Sequence, residues 1–265
     1  TETMRRQTPK VVVVEINGFL YDFNQDETDT GLHKWLDNIP MSRNKGQTIA
    51  DCVPKDQQPS YFFRMAKYHD TWIEPDVWCG PAKEQLTMRR TGYSLTKSFE
   101  VIPKVETGER QVKSLELSAE NEQTLRDFCE RAKQLGVENV LFVRFPHRTV
   151  LSDPSVLSQL ADIVREYGYG FLNCDEQMDS IGLELDGDFC DNEHMNVFGM
   201  EKFTAWFGQY LSEQYSLTAA RSDKVTAEWA RCAEFVAHML PICEQKTPGD
   251  SGNYNEFSPE FSVYR

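Results

Sequence analysis

The residues of this chain whose types and spacing point to chemistry are Asp191 and His194. They lie in the run Asp188-Phe189-Cys190-Asp191-Asn192-Glu193-His194-Met195-Asn196. A carboxylate three residues before an imidazole can hold one ring nitrogen. That contact fixes the tautomer and stabilises the ring once it has taken a proton, as a general base at an oxygen nucleophile requires. The same spacing has a plainer reading: an acidic residue ahead of a helix and a loop histidine with its hydrogen bonds met. A third is a metal site of Asp188, Asp191 and His194, joined by Glu15 or Asp175 if the strands converge.

The scaffold that must position these residues is legible in outline. Residues 10–16 contain Val11-Val12-Val13-Val14, a β-branched run without alternation. Such a run predicts a strand covered on both faces, as in a parallel sheet. It ends at Asn17-Gly18. Ligand crevices form at the carboxyl ends of parallel strands, so Glu15 and Asn17 are candidates to line one. Ser118 can cap a helix with Leu125, Phe128, Cys129, Ala132 and Leu135 on its apolar face, stopped by Gly136. Residues 139–145 read as the next buried strand, closed by Pro146-His147. Asp153 and Pro154 start a second helix as N-cap and first residue. Residues 169–173 form a third strand ending at Cys174-Asp175. After the key loop, Asn196 caps a helix over residues 197–210, with Phe203, Phe207, Tyr210 and Leu211 facing the core. Strands alternating with helices predict an α/β fold with parallel strands and right-handed crossovers. A last helix is expected over residues 226–240, with Trp229 on its apolar face and Pro241 as its limit.

Residues 21–117 have poor periodicity, interrupted by Pro40, Pro54, Pro59, Pro75 and Pro81. Short helices are predicted near residues 30–38, 42–50 and 61–72. So long a segment is read as a lid-like subdomain rather than a bare loop. His69 and Trp72, in Tyr68-His69-Asp70-Thr71-Trp72, are candidates to contact a sugar or peptide substrate, with core packing as the alternative use. Residues 244–265 read as a tail.

Composition sets outer bounds. The 265 residues carry 42 Asp and Glu against 28 Lys and Arg, a formal net charge of −14. That balance argues against nucleic acid and anionic membrane surfaces as partners. No apolar run reaches the ~18–20 residues of a membrane span. Seven cysteines without a C-x-x-C pair give neither a disulfide scaffold nor a structural zinc site. Cys190 is expected to pack rather than react. No cofactor is expected.

The pattern Asp-Phe-x-Asp-x-x-His-x-Asn, followed by Gly199 and Lys202-Phe203-Thr204, resembles the last block of the SGNH (GDSL-like) hydrolases. The likeness is to bacterial cell-envelope members that modify polysaccharides or cell-wall polymers. Residues 40–42, 68–72 and 91–93 also resemble recurring features of those proteins. The resemblance implies a three-layer, flavodoxin-like, mostly parallel sheet. Residues 1–22 and 118–218 would form the core, 23–117 a mixed insertion, and 219–265 a C-terminal helix and tail. It implies that Asp191 orients His194, that His194 is the base of a Ser-His-Asp triad, and that Asn17 donates to the oxyanion, with Glu15 and Asp188 lining the site. The family's Gly-x-Asn-Asp pattern is absent here, and no strand-Gly-x-Ser precedes residue 11. Gly249-Asp250-Ser251 follows no buried strand and is rejected as the nucleophile turn.

The expected function is therefore the C-terminal part of a serine esterase or O-acyltransferase acting on an acylated cell-envelope glycan, nearly inert without a serine from upstream of residue 1. The alternative is a non-catalytic glycan- or protein-binding domain that uses Trp35, Trp72, Trp78, Tyr61 and Tyr68. The resemblance places the chain in the cell envelope, and the residues as given read as soluble. In the family's strand order the valine run would become an exposed apolar edge, covered by the tail, by the insertion or by a second copy in a homodimer.

Overall fold

β-Branched side chains resist helix formation and fit a covered pleated surface, and the valine run follows that preference. The computed structural model describes residues 9–20, 39–62, 105–217 and 222–244, together with Met4 and Leu36. The elements in chain order are β1 (Val12–Glu15), a 3-10 turn at Asn17–Phe19, α1 (Arg43–Cys52), α2 (Gln58–Phe62), β2 (Val112–Lys113), α3 (Ala119–Gln134), β3 (Val140–Arg144), β4 (Val150–Leu151), α4 (Ser155–Glu166), β5 (Gly170–Asn173), a 3-10 turn at Cys174–Gln177, α5 (Met178–Ile181), α6 (Val197–Tyr215) and α7 (Asp223–Glu244). The fold is α/β with parallel strands.

The main sheet has the order β1-β3-β5. Both pairings are parallel, with Val14 opposite Phe142 and Phe142 opposite Phe171. Central β3 is buried at every position, and its two faces meet different partners. Leu141 and Val143 pack in a cluster with Phe189 and with Phe203 of α6. Phe142, on the opposite face by strand alternation, meets the ring of Phe128 of α3 at 5.8 Å. Cover on both sides is why this strand reads as a continuous apolar run. β1 lies at one edge of the described sheet, with Val13 36% exposed.

The helix boundaries follow local chemistry. Ser118 accepts the N–H of Asn121 at the start of α3, and Gly136 closes that helix at φ +73°, a conformation that favours glycine. The α4 start differs from expectation by one residue. Pro154 occupies the cap position, and Asp153 Oδ1 accepts the N–H of Ser155. Pro241 does not end α7, which runs through it to Glu244. Proline removes one helix donor and crowds one carbonyl but leaves the following residues able to stay helical. Trp229, expected on the apolar face of that helix, is 46% exposed.

By its contacts the chain forms two units: Thr1–Thr8 with Tyr21–Leu86, and Pro9–Leu20 with Thr87–Arg265. In the first, Ser42 accepts the N–H of Lys45 to cap α1, and Leu36, Ile49, Val53 and Tyr61 make a small core. Tyr61 is therefore used in packing, not on a binding face. In the second, β2 pairs in parallel with β4. Residues 105–113 thus lie in the second unit, within the stretch 23–117 that the sequence alone reads as an insertion. Two consecutive paired residues are too short a strand to show a period. His69, Trp72, Trp35, Trp78, Tyr68 and the tail at 245–265 lie outside the described residues. Among the described residues, no helix is long and apolar enough to cross a membrane.

Candidate active site at the strand ends

The loop between α5 and α6 is built on buried polar anchors. Asn196 is fully buried. Its Oδ1 accepts the N–H groups of Phe198 and Gly199, both at 3.0 Å, and its Nδ2 donates to the Gly187 carbonyl at 2.7 Å. One side chain thereby caps α6 and ties the loop's two ends together. Asp188 is also buried; its Oδ2 accepts the Glu184 N–H and the Lys202 ammonium, each at 2.7 Å. This carboxylate is turned inward and anchors the loop. Gly199 lets the anchor pass: a Cβ there would lie 2.2 Å from the Asp188 carbonyl oxygen. Residues 105–113 brace the outside. The Glu106 N–H donates to the Phe189 carbonyl at 2.7 Å, and Lys113 pairs with Glu193.

On this frame Asp191 makes an Asx-type turn. Its Oδ1 accepts the backbone N–H groups of Glu193 and His194, both at 2.7 Å. The turn brings the His194 ring back over the carboxylate, with Nδ1 2.9 Å from Oδ2 and 3.1 Å from Oδ1. A carboxylate only accepts, so Nδ1 carries a proton, and in the neutral ring Nε2 is the nitrogen with the free lone pair. The pair is open to solvent, the His194 side chain at 71% and Asp191 at 47%. Among the described residues, no hydroxyl or thiol is hydrogen-bonded to Nε2. Cys190 is buried, its thiol facing the His194 carbonyl.

The ends of β1, β3 and β5 carry a second polar group that sequence reasoning did not assemble. Arg144, the last residue of β3, is 2% exposed and donates from Nε to Asp175 Oδ2 at 2.6 Å. The other oxygen of Asp175 accepts the His147 backbone N–H at 2.8 Å. Arg144 Nη1 donates to Asn17 Oδ1 at 3.2 Å. Asn17 Nδ2 lies 3.0 Å from His147 Nε2, and His147 Nδ1 meets the Phe145 carbonyl. Three side-chain contacts and the His147 backbone N–H close a ring of hydrogen bonds through these four residues.

Its protonation pattern is forced. A guanidinium only donates, so the Asn17 atom facing it is oxygen, and nitrogen faces His147. His147 Nε2 must then accept, and Nδ1–H donates to the carbonyl. His147 is a neutral ring. Burial pushes its pKa below the ordinary 6.5, and the charge of Arg144 adds to that, against the opposing pull of Asp175. The charge of His194 acts in the same direction as that of Arg144, so the two histidines share one neighbourhood. Glu15, at the tip of β1, accepts the Asn17 N–H at 2.8 Å, and among the described residues its buried Oε1 has no partner. Burial raises its pKa above 4.5, opposed by that hydrogen bond and by Arg144.

The structure thus brings Asp191 to His194 and Glu15 to Asn17, and it sets Asp188 apart as a loop anchor. It adds Arg144, His147 and Asp175. Each of these lies at or just after the end of a buried strand, where a polar residue following an apolar run is the usable signal. No group of three His, Cys, Asp or Glu side chains among the described residues is arranged to hold a metal ion, so the metal reading of the loop has no ligand set there. No family model matches this chain, and neither do the curated proteins or solved structures compared with it.

Proposed function

We propose that this chain carries the base-bearing part of an SGNH-type O-acyl esterase or acyltransferase acting on an acylated cell-envelope glycan, with β1, β3 and β5 as consecutive strands of the three-layer sheet of that fold. The observation that carries the reading is the His194 ring held by Asp191 at 2.9 Å, with no partner at Nε2 among the described residues. In this role Nε2 takes the proton of a hydroxyl nucleophile as it attacks the acyl carbonyl. Asp191 keeps the tautomer and stabilises the imidazolium, and the proton then passes to the leaving alkoxide of the glycan. Glu15 and Asn17, close to the same strand tips, supply polar groups beside the reacting carbonyl.

The test is hydrolysis of p-nitrophenyl acetate and of an O-acetylated polysaccharide. The chain alone should be nearly inert. A form of the protein that carries a serine nucleophile beside Nε2 should turn over, and H194A should lower its kcat by about 10³–10⁴-fold or more. Robust hydrolysis by the chain alone, abolished by H194A, would show that a local hydroxyl or water is the nucleophile. Hydrolysis indifferent to H194A would remove the base assignment.

A further inference from the structure

Asn17 has two amide protons and the ring of hydrogen bonds uses one. The oxygen is committed to Arg144 and one N–H to His147 Nε2. Among the described residues, the second Nδ2–H has no partner. Which way the amide faces is decided by its two neighbours together, because Arg144 can only donate and neutral His147 can only accept at Nε2. Asp175 holds both neighbours at once, through the Arg144 guanidinium and the His147 backbone N–H. An asparagine at a strand end in water would sample both flips. Here one is selected.

We propose that His147 is a positioning residue: its unprotonated Nε2, with Arg144, locks the Asn17 amide so that the spare N–H is offered to the carbonyl oxygen of an acyl group. The proposal rests on the acyl-transfer reading for its purpose, and on the hydrogen-bond ring for its geometry. A donor fixed before the reaction begins stabilises developing oxyanion charge without reorganising, which makes such donors effective. The charged groups acting on His147 are consistent with a ring that stays neutral. Arg144 of β3 and His194 of the α6 loop both oppose its protonation. Asp175, after β5, favours protonation but is already paired with Arg144. Protonation would turn the acceptor into a donor, and the Asn17 amide would be released.

The experiment uses the chain labelled with nitrogen-15 at asparagine and histidine, with sodium acetate, the acid product of acetyl-ester cleavage, as probe. In the wild type, His147 should carry its single proton on Nδ1 at pH 7.5. The Asn17 amide protons should be widely split, and one of them should shift as acetate is added. H147Q, whose amide oxygen can accept in place of Nε2, should keep the split and the acetate response. H147L should lose both. Should H147L fail to fold, lowering the pH of the wild type until His147 protonates should cause the same loss. H194A should leave the Asn17 signals and their acetate response intact, so a failure of the base assignment stays distinguishable from a failure of this proposal. Where turnover is measured, H147L should lower kcat by about 10²-fold with little change in KM, and H147Q should restore most of it. A proton on His147 Nε2 in the folded chain, an Asn17 amide that does not respond to acetate, or a response that survives H147L would each overturn the proposal.

Discussion

Two histidines in this protein, His194 and His147, are held in opposite ways. His194 is 71% exposed at its side chain and rests on a carboxylate. His147 is buried, rests on a backbone carbonyl and has Asp175 at 3.9 Å from Nδ1. The first lies in water with a carboxylate against Nδ1. The second is harder to protonate than a free imidazole, because burial and the Arg144 guanidinium oppose the charge. One site thus contains an imidazole suited to proton traffic and another suited to holding a fixed shape. Residue type alone would have treated them alike; the surroundings divide the roles.

The sharpest way to break that contrast is to remove the cation from the buried ring. Arg144→Met leaves Asp175 without its ion pair and Asn17 without the donor to its oxygen. Loss of one partner of a buried pair costs about 3–5 kcal/mol, which urea unfolding would read as a clear drop in midpoint. A loss below about 1 kcal/mol would place the ring in the same energetic class as an exposed pair. Next in size is Asn196→Ala. It removes the α6 cap and leaves the Gly187 carbonyl without its donor, at a cost of about 2 kcal/mol. The same denaturation series checks it. If Asn196→Ala is neutral, the loop under His194 is not held by its buried anchors.

The contrast also explains how much could be read from the chain beforehand. Asp191 and His194 are three residues apart, so a single turn brings them together and their spacing shows it. β1, β3 and β5 were visible as apolar runs, and the α3 and α6 caps as Ser118 and Asn196, because these signals are local too. The ring needs Asn17, Arg144, His147 and Asp175 from three strand ends. Asn17 and Arg144 are 127 residues apart. No periodicity encodes that meeting; it exists only once the parallel register is set. Arg144 was hidden further by its position as the last residue of an apolar strand. Residues 105–113 were missed because two ladder pairs with β4 are too few to carry an alternation. Pro241 misled because proline disfavours helix without forbidding it.

A third, smaller effect is a slope rather than a loss. His147 has a folded pKa below 6.5, so the unfolded chain binds its proton first as the pH falls. In that window the unfolded state holds more protons, and stability falls with pH from about 6.5 down to the folded value. Glu15 has the opposite sign: its folded pKa is raised above 4.5, so the folded state holds the proton longer and stability falls as pH rises through that range. Thermal melts of the wild type and H147Q between pH 7.5 and 5 isolate the histidine. H147Q should show the shallower decline. Parallel curves would mean that burial does not hold the His147 ring neutral.

The smallest expected change in stability comes from Asp191→Asn. The amide keeps an oxygen where Oδ1 now accepts the N–H groups of Glu193 and His194, so the turn retains both backbone bonds. What is lost is the charge-assisted contact to the ring, between side chains 47% and 71% exposed. Exposed pairs of this kind are worth about 0.2–1 kcal/mol because water competes for both partners. The urea midpoint should therefore shift by about 1 kcal/mol or less, well short of the Arg144→Met loss. Acyl transfer, by contrast, should fall by about 10⁴-fold, since the ring is no longer held in the tautomer that leaves Nε2 bare. A stability loss of about 3 kcal/mol would make Asp191 a fold anchor like Asp188, and the difference between the exposed pair and the buried ring would disappear.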